Sequence, residues 1–576
     1  MKVKLAKTAG FCMGVRRAME ITLSEANKDD GKLFTYGPLI HNEQVLDLLR
    51  SKGVDIKEHI DTHDKGRIII RAHGITPAER EMIRRSNFRI IDATCPRVGK
   101  VQAIIKKYHK MGYIPVIFGD AKHPEVLGLI GYSEGHGIVI NRAEDVERIP
   151  KRKKVVVVSQ TTQDVTAYRE FVDAIKHRNQ GAIIFDTICD ETYKRQREVR
   201  LLASGVDCMV IVGGGNSGNT RRLYEISRST GKRTFHIETE KELKNSWFYQ
   251  TETVGITAGA STPNWMIKKV IERLKTMGKS GRYPSGNALR KALQLLSKVT
   301  IPESIGAFSL TYAGLVLSKG NVQFIYPFLA LFYVYSMHVL NRFLDKEAGK
   351  YNDPGIAFFY TQHKSFLITT SLAGIVAGLF LSLTLGRAQF LVFLALTILG
   401  LVYSIPIIPL RSGYLGRYAK IKDLPGSKAM AEALAWGAIS SLLPIIGWPS
   451  PFWPGVLLSF LFVSSMCYVR SGLFDILNIQ GDLIVGKETL PIAIGEERSL
   501  KLLLVVNGVV AAILLLSAGL GVASGLGYPL TVCFLIAIFY LTSYRKGWIR
   551  DGSPLQAIVE GNLLFAGLLA FIWKLL

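Results

Sequence analysis

The sequence predicts two fold classes in one chain: an α/β half built on parallel sheets, and an all-α membrane bundle of about nine helices. Three observations carry this reading. Over the first 277 residues short β-branched runs alternate with helix-compatible stretches, as strand-helix-strand units require. Beyond residue 303 apolar runs recur to the last residue given, each near the ~20 residues of a bilayer crossing. The averages, 48% hydrophobic residues and a mean hydropathy of +0.22, are too apolar for an ordinary soluble chain of 576 residues. The expected domains are an α/β unit at 1–277, a basic linker or interfacial helix at 278–303 and a membrane unit at 304–576.

In the first half the strand candidates are KVKLA, KLFTYG, RIIIRAHG, RIIDATC, IPVIFGD, KVVVVSQTT, AIIFDTIC, CMVIVGGGN and TVGITAGAS. In parallel sheets covered by helices, ligands collect beyond the carboxyl ends of the strands. The polar residues fall there: Cys12, His41, His73, Cys95, His123 with Glu125, Thr161, Cys189, the GGGNSGN loop at 213–219, and Ser261. Loops are polar in any protein, but so many chemically capable residues at equivalent places are hard to explain by solvation alone.

The formal charge of +25 admits nucleic acid, anionic lipid or an anionic substrate. No aromatic-basic RNA signature or zinc-finger spacing accompanies it, so nucleic acid is not expected. Six scattered cysteines do not make a secreted disulfide framework, and the amino terminus lacks the apolar core of a signal peptide. The first half is therefore expected on the cytoplasmic side. Cys12, Cys95 and Cys189 end strands and open helices, where amide donors and the helix dipole favour a thiolate. Three converging thiolates suit an iron-sulfur cubane with one iron free of protein ligands, although zinc or packing would use the same residues. His41, His73 and His123, with Ser217, Asn219 and Ser261, offer donors suited to a diphosphate, and Glu125 offers a proton.

The ordered motifs AGFCMGVRRAM, GPLIHNEQV, RAHG, DATCP, KHPEV, SQTT, GGGNSGNTRRL and AGASTP resemble the 4-hydroxy-3-methylbut-2-enyl diphosphate reductases, the IspH/LytB family. The resemblance spans the whole first half. It implies three α/β modules around one 4Fe-4S cluster held by Cys12, Cys95 and Cys189. It further implies diphosphate binding by His41, His73, His123, Thr161, Ser217, Gly218, Asn219 and Ser261, with Glu125, Thr161 and His123 as the catalytic set. Gly218 stands where some relatives carry a second serine, so one hydroxyl is missing while the backbone amide remains. The implied reaction is reductive dehydroxylation to isopentenyl and dimethylallyl diphosphates, with a ferredoxin or flavodoxin as electron donor. The basic surface would steer such acidic partners.

Residues 276–303 read as a Gly/Pro/Ser-containing tether followed by a basic amphipathic stretch, with Leu289, Leu293 and Leu296 beside Arg290, Lys291 and Lys298. Such a stretch suits a plain linker or a helix lying on an anionic leaflet. The expected spans are 304–318, 322–340, 365–386, 388–408, 429–447, 452–474, 501–518, 528–543 and 556–574. Loops after even-numbered spans are rich in Lys and Arg, from Arg342 and Lys346 to Arg545 and Lys546, whereas opposite loops carry only Lys319 and Arg387. The positive-inside rule then keeps the first half cytoplasmic and places the carboxyl terminus outside.

Two acidic groups fall on that cytoplasmic face, where charges at membrane ends are costly unless they work. HVLNRFLDKEAG carries Asn341 and Asp345 one helical turn apart, and FDILNIQGDLIVGKETLP carries Asp475, Asn478 and Asp482. Oxygen ligands there suit magnesium bridging to a diphosphate, with Lys420, Lys422 and Lys487 taking further oxygens; loop-solvating charge is the plain alternative. With YSIPIIPLR at 403–411 and KDLPGSK at 422–428, this half resembles the UbiA-type intramembrane prenyltransferases. That resemblance implies Mg2+ and transfer of a polyprenyl group from its diphosphate to an aromatic or lipid acceptor. The first motif departs from the family pattern: Gly349 replaces its last Asp, leaving Glu347 or Asp353 to compensate. A reductase on a degenerate membrane anchor is the second expectation. The protein is expected in the cytoplasmic (inner) membrane, with both active sites on the cytoplasmic side and membrane lipid as a partner.

Overall fold

The computed structural model describes all residues except 29, 62–63, 152, 250, 278–298, 321, 345, 405, 410–417, 421–425, 447, 449, 488 and 550–551. The chain separates into two compact units, Met1–Tyr283 and Pro284–Leu576. Most of the expected linker or interfacial helix at 278–303, including its Leu and Lys/Arg pattern, lies outside the described residues.

The first unit opens with β1 (Lys2–Leu5), α1 (Met13–Ala26), β2 (Leu33–Tyr36), α2 (Glu43–Ser51), β3 (Val54–Lys57) and β4 (Lys65–Ile70). It continues through α3 (Pro77–Arg85), β5 (Asn87–Asp92), α4 (Pro96–Lys110), β6 (Ile114–Phe118), α5 (Pro124–Gly131) and β7 (Ile138–Ile140). Next come β8 (Val155–Ser159), α6 (Val165–Arg178), β9 (Ile183–Ile184), α7 (Asp190–Ser204) and β10 (Cys208–Val212). The unit closes with α8 (Gly218–Ser229), β11 (Arg233–Ile237), β12 (Thr253–Ala258) and α9 (Asn264–Met277).

These strands form three four-stranded sheets in the orders β1-β12-β10-β11, β3-β2-β4-β5 and β7-β6-β8-β9. Every pairing is parallel. Central strands are buried on both faces, as helix-covered parallel sheets require: Val155, Val156, Val157 and Val158 are all fully inaccessible. Each such side chain removes apolar surface worth about 1.5–3 kcal/mol. Three strands, β3, β7 and β11, escape the nine-run reading of the sequence. All three are edge strands, short or polar (VDIK, IVI, RTFHI), and so lack the continuous apolar run that marks a central strand.

The second unit is helical. It runs α10 (Ile301–Leu317), α11 (Ile325–Leu344), α12 (Lys346–Asn352), α13 (Pro354–Gln362), α14 (Lys364–Leu385), α15 (Arg387–Val402) and α16 (Ser427–Gly437). There follow α17 (Trp453–Leu477), α18 (Ile479–Val485), α19 (Leu490–Ile494), α20 (Glu496–Gly519), α21 (Gly527–Arg545) and α22 (Ser553–Leu575). Each expected span overlies a helix. Among the described residues five helices, Lys364–Leu385, Trp453–Leu477, Glu496–Gly519, Gly527–Arg545 and Pro554–Leu575, are long and apolar enough to cross a membrane. Ile301–Leu317 and Arg387–Val402 are apolar but shorter. The fourth expected span stops at Val402, not 408, because the proline-bearing segment Pro406–Pro409 pairs antiparallel with Tyr418–Lys420. The fifth leaves α-helical geometry at Gly437 and passes through a π turn over Ala438–Leu442.

Small residues let these helices approach. A Cβ on Gly567 would stand 2.6 Å from that of Ser309, joining α22 to α10, and one on Gly378 would meet the Phe393 ring at 2.4 Å. A buried guanidinium ties four helices. Arg470 on α17 donates to Glu560 of α22 at 2.8 Å and Glu432 of α16 at 3.2 Å, and lies 3.4 Å from Glu303 of α10. Removing one partner from such a set strands a buried charge, so the network holds the packing in a single register.

Candidate functional site

In the first unit the sheets deliver chemistry by rank of strand. Cys12 follows β1, Cys95 follows β5 and Cys189 follows β9, and each of these is an edge strand of a different sheet. The inner strands carry the rest: β2 leads to His41, β4 to His73, β6 to His123 and Glu125, β8 to Thr161, β10 to Ser217 and Asn219, and β12 to Ser261.

All three cysteines occupy the N-cap position of a helix, with extended backbone. The Val15 amide donates to Cys12 Sγ at 3.5 Å. The amides of Arg97 and Val98 lie near the Cys95 thiol and those of Glu191 and Thr192 near Cys189, without closing a side-chain capping bond in either case. Burial raises the Cys95 and Cys189 thiols, the nearby amides oppose it, and both groups feel Cys12 as a neighbour. Gly14 leaves room for this convergence, since a Cβ there would lie 2.6 Å from Cys95 Sγ. Contacts between modules fix the arrangement. Arg17 donates to the Thr94 carbonyl at 3.2 Å and Arg97 to Asp190 at 2.5 Å; within one module the Cys189 amide donates to the Thr161 carbonyl at 2.9 Å. Sequence reading missed one clamp: on α7, Arg195 donates to the carbonyls of Gly10 and Ala258 at 2.8 and 3.0 Å, while Glu198 accepts from Lys7 and Thr8. Both ends of the loop bearing Cys12 are thereby tied to the helix that Cys189 starts.

The imidazoles of His41, His73 and His123 face one another with ring centroids 5.1–5.8 Å apart. Burial lowers all three pKa values, His73 well below the usual range and His123 to about 4; Arg71 adds to the effect at each ring and the neighbouring imidazoles at His73 and His123, while Asp120 opposes it at His123. The Glu125 amide donates to His123 Nδ1 at 3.1 Å, so the neutral ring carries its proton on Nε2. His41 Nε2, His73 Nδ1 and Asn219 Nδ2 are buried without hydrogen-bond partners, a costly condition that an acceptor-rich ligand relieves. Ser261 donates to the His41 carbonyl at 3.3 Å and to Ser217 Oγ at 3.4 Å. Gly214 permits the loop to rest on His41, whose carbonyl oxygen would be 2.7 Å from a Cβ. Gly218 has open space, with His123 Cδ2 the nearest atom at 3.9 Å. Glu125 is 2% exposed, accepts from the amide and hydroxyl of Thr161, and is pushed by burial up to about 7.

In the helical unit Asp475 and Asp482 are 1% and 3% exposed, and each keeps one buried carboxylate oxygen without a partner among the described residues. Lys428 donates to Asp475 Oδ1 at 2.5 Å, and Asn352 to Asp482 Oδ1 at 3.2 Å. The sequence reading assigned neither Lys428 nor Asn352 to this site; nothing in their spacing ties them to the acidic motifs. Asn478 caps α18, and Asn341 accepts from Ser404 at 2.8 Å. Asp345 and Lys422 lie outside the described residues, and only the backbone of Lys420 is described. Asp353 is spent as the N-cap of α13, accepting from the Ile356 amide at 3.0 Å, while Glu347 pairs with Lys350 at the surface.

Residues 3–275 match the LytB protein family and residues 307–574 the UbiA prenyltransferase family. The 4-hydroxy-3-methylbut-2-enyl diphosphate reductase of Geobacter sulfurreducens is 46% identical over 275 residues, covering 48% of this chain and 97% of that protein. A solved (E)-4-hydroxy-3-methyl-but-2-enyl diphosphate reductase is 41% identical, with a TM-score of 0.39, over 48% of this chain and 100% of its own. A UbiA homolog from Archaeoglobus fulgidus, solved with GPP and Mg2+, is 16% identical, with a TM-score of 0.36, over 48% of this chain and 98% of its own. The chain thus belongs to the LytB family of 4-hydroxy-3-methylbut-2-enyl diphosphate reductases and carries a UbiA prenyltransferase family domain as its membrane-spanning second half.

Proposed function

We propose that the first unit reduces 4-hydroxy-3-methylbut-2-enyl diphosphate, with two electrons and two protons, to isopentenyl or dimethylallyl diphosphate and water. The observation that carries this is the set of buried polar atoms at His41, His73 and Asn219 left without partners among the described residues, in a unit whose three cysteines each stand at a helix N-cap. Cys12, Cys95 and Cys189 fit a 4Fe-4S cluster better than a single zinc ion. Among the described residues only the histidine trio brings its ligand atoms within 4.8 Å of one another, whereas cluster thiolates sit apart on separate irons. Bound there, the cluster supplies electrons and Lewis acidity.

The protein groups do the rest. His41, His73 and the Nε2–H of His123 grip the diphosphate together with Ser217, Asn219, Ser261 and the Gly218 amide. Glu125, kept protonated by burial, gives its proton to the departing hydroxyl, and Thr161 fixes the carboxyl's orientation. A ferredoxin or flavodoxin delivers the electrons. Anaerobic purification with iron quantification and a reductase assay tests this: Glu125→Gln should abolish turnover with the cluster spectrum intact. A wild-type protein without cluster under those conditions refutes it.

For the second unit we propose a bundle of nine crossings in the cytoplasmic membrane, its acidic site facing the cytoplasm. Asp475, Asp482, Asn478, Asn341 and Asp345 would hold Mg2+ against a polyprenyl diphosphate, and the orphaned oxygens of Asp475 and Asp482 support this. The bundle then transfers the prenyl group to an aromatic or lipid acceptor. A degenerate membrane anchor is the competing reading, favoured by Gly349 and by the Lys428 ammonium already paired with Asp475. Transfer of labelled prenyl diphosphate into lipid extract, lost on Asp475→Ala, separates the two.

A further inference from the structure

Arg71 directly follows the strand β4 and precedes His73 by two residues. Its side chain occupies space that only a glycine leaves free: a Cβ on Gly37, whose φ is +68°, would stand 2.5 Å from Arg71 Nη1. Among the described residues no hydrogen bond or ion pair engages this guanidinium, and its Nε is buried without a partner. Of the two acids that act on it, Glu79 and Glu58, the stronger is already committed. Glu79 accepts at Oε2 from the Thr76 amide and hydroxyl in a capping box, and at Oε1 from Tyr36 at 3.3 Å. Arg71 is thus a fixed cation whose field reaches all three site imidazoles, with Asp120 opposing it at His123.

Three neutral imidazoles with ligand atoms within 4.8 Å of one another would ordinarily suit a late first-row dication, for which imidazole is a preferred ligand. They supply donors for an anion but no net charge. A guanidinium beside them reverses the preference, opposing a second cation and attracting a polyanion. We propose that Arg71 is a specificity-determining positioning residue: its fixed charge reserves the histidine trio for a diphosphate and denies it to a divalent metal ion. This rests on the diphosphate-site reading above and names the group that sets the site's charge preference.

The test uses the full-length, anaerobically cluster-loaded enzyme, with reductase turnover inhibited by inorganic pyrophosphate or by Ni2+. In Arg71→Gln the KM and the pyrophosphate inhibition constant should rise by about tenfold to a hundredfold. The kcat should change far less, and the visible cluster spectrum should stay as in wild type. Ni2+ should inhibit Arg71→Gln at lower concentration than wild type, reversibly with EDTA. Arg71→Lys keeps the charge and should restore both properties to near wild type. The gain of Ni2+ sensitivity is the readout that a merely structural role for Arg71 does not produce. Unchanged pyrophosphate and Ni2+ inhibition in Arg71→Gln overturns the proposal, as does Arg71→Lys being as Ni2+-sensitive as Arg71→Gln. Failure of pyrophosphate to inhibit the wild type overturns the underlying site reading instead. If Arg71→Gln does not accumulate, Gly37→Ala displaces the guanidinium while leaving it in the chain, and both constants should move in the same directions; no movement overturns the proposal.

Discussion

Thr161 holds both oxygens of Glu125 at once, its amide donating to Oε1 at 2.7 Å and its hydroxyl to Oε2 at 2.9 Å. Such donors favour the carboxylate, yet burial outweighs them and leaves the group at about 7. The acid form is therefore present below that value and lost as pH rises through it. The kcat should fall on the alkaline side with an apparent pKa near 7. Thr161→Val deletes one stabiliser of the carboxylate, so its alkaline limb should lie at higher pH and its rate be lower, as a pH–rate profile will show.

The same shift makes a stability statement of definite sign. A folded-state pKa raised from 4.5 to about 7 stabilises the native state fully below 4.5, and that contribution is lost as pH rises through 7. Glu125→Gln, neutral throughout, should be more stable than wild type above pH 7 by roughly 2–3 kcal/mol, and thermal unfolding across pH measures this.

Gly14→Ala should lower the iron content per chain while leaving the helical and sheet signals of the fold intact, because the new Cβ would stand 2.6 Å from Cys95 Sγ. Metal analysis against circular dichroism separates a lost cluster from a lost fold.

Gly218→Ser should be accepted, since the nearest neighbour of its Cβ, His123 Cδ2, is at ordinary contact distance of 3.9 Å. We expect stability within about 0.5 kcal/mol of wild type, and a KM equal to or below wild type from the added hydroxyl. A raised KM would show that the loop has no room for it once substrate is bound.

In the helical unit the Lys428 ammonium pairs with the Asp475 carboxylate. Lys428→Gln should lower the melting temperature in detergent, and Mg2+ should restore it, whereas wild type should respond less. Gly349→Asp meets open space and should sharpen the Mg2+ dependence of prenyl transfer. If Gly349→Asp leaves it unaltered, position 349 does not belong to the metal site.

How much of this was legible depended on whether a residue's signal was local. Central strands such as VVVVS and CMVIV, and helix starts at Cys12, Cys95 and Cys189, are written in adjacent residues and appear where the pattern puts them. Strand order is different. β1 pairs with β12 across the whole first unit, and Leu5 against Ile256 leaves no mark in either segment. The ranking that gives cysteines to edge strands and ligand-binding residues to inner ones follows from that order, so it was unreadable. Arg195 and Lys428 escaped for a related reason: each acts through a partner remote in sequence, and a lone basic residue in a chain of net charge +25 carries no individual signal.

The strand ranking in the three sheets has an evolutionary consequence. One scaffold, repeated three times, presents its cysteines from three edge strands, while the other site residues are shared out unevenly: two imidazoles from residues 33–92, the third with Glu125 and Thr161 from 114–184, and Ser217, Asn219 and Ser261 from the 208–258 strands with β1. Selection could then alter the hydroxyls and amide of one repeat without touching the carboxyl of another, but no single repeat could change the imidazole set alone.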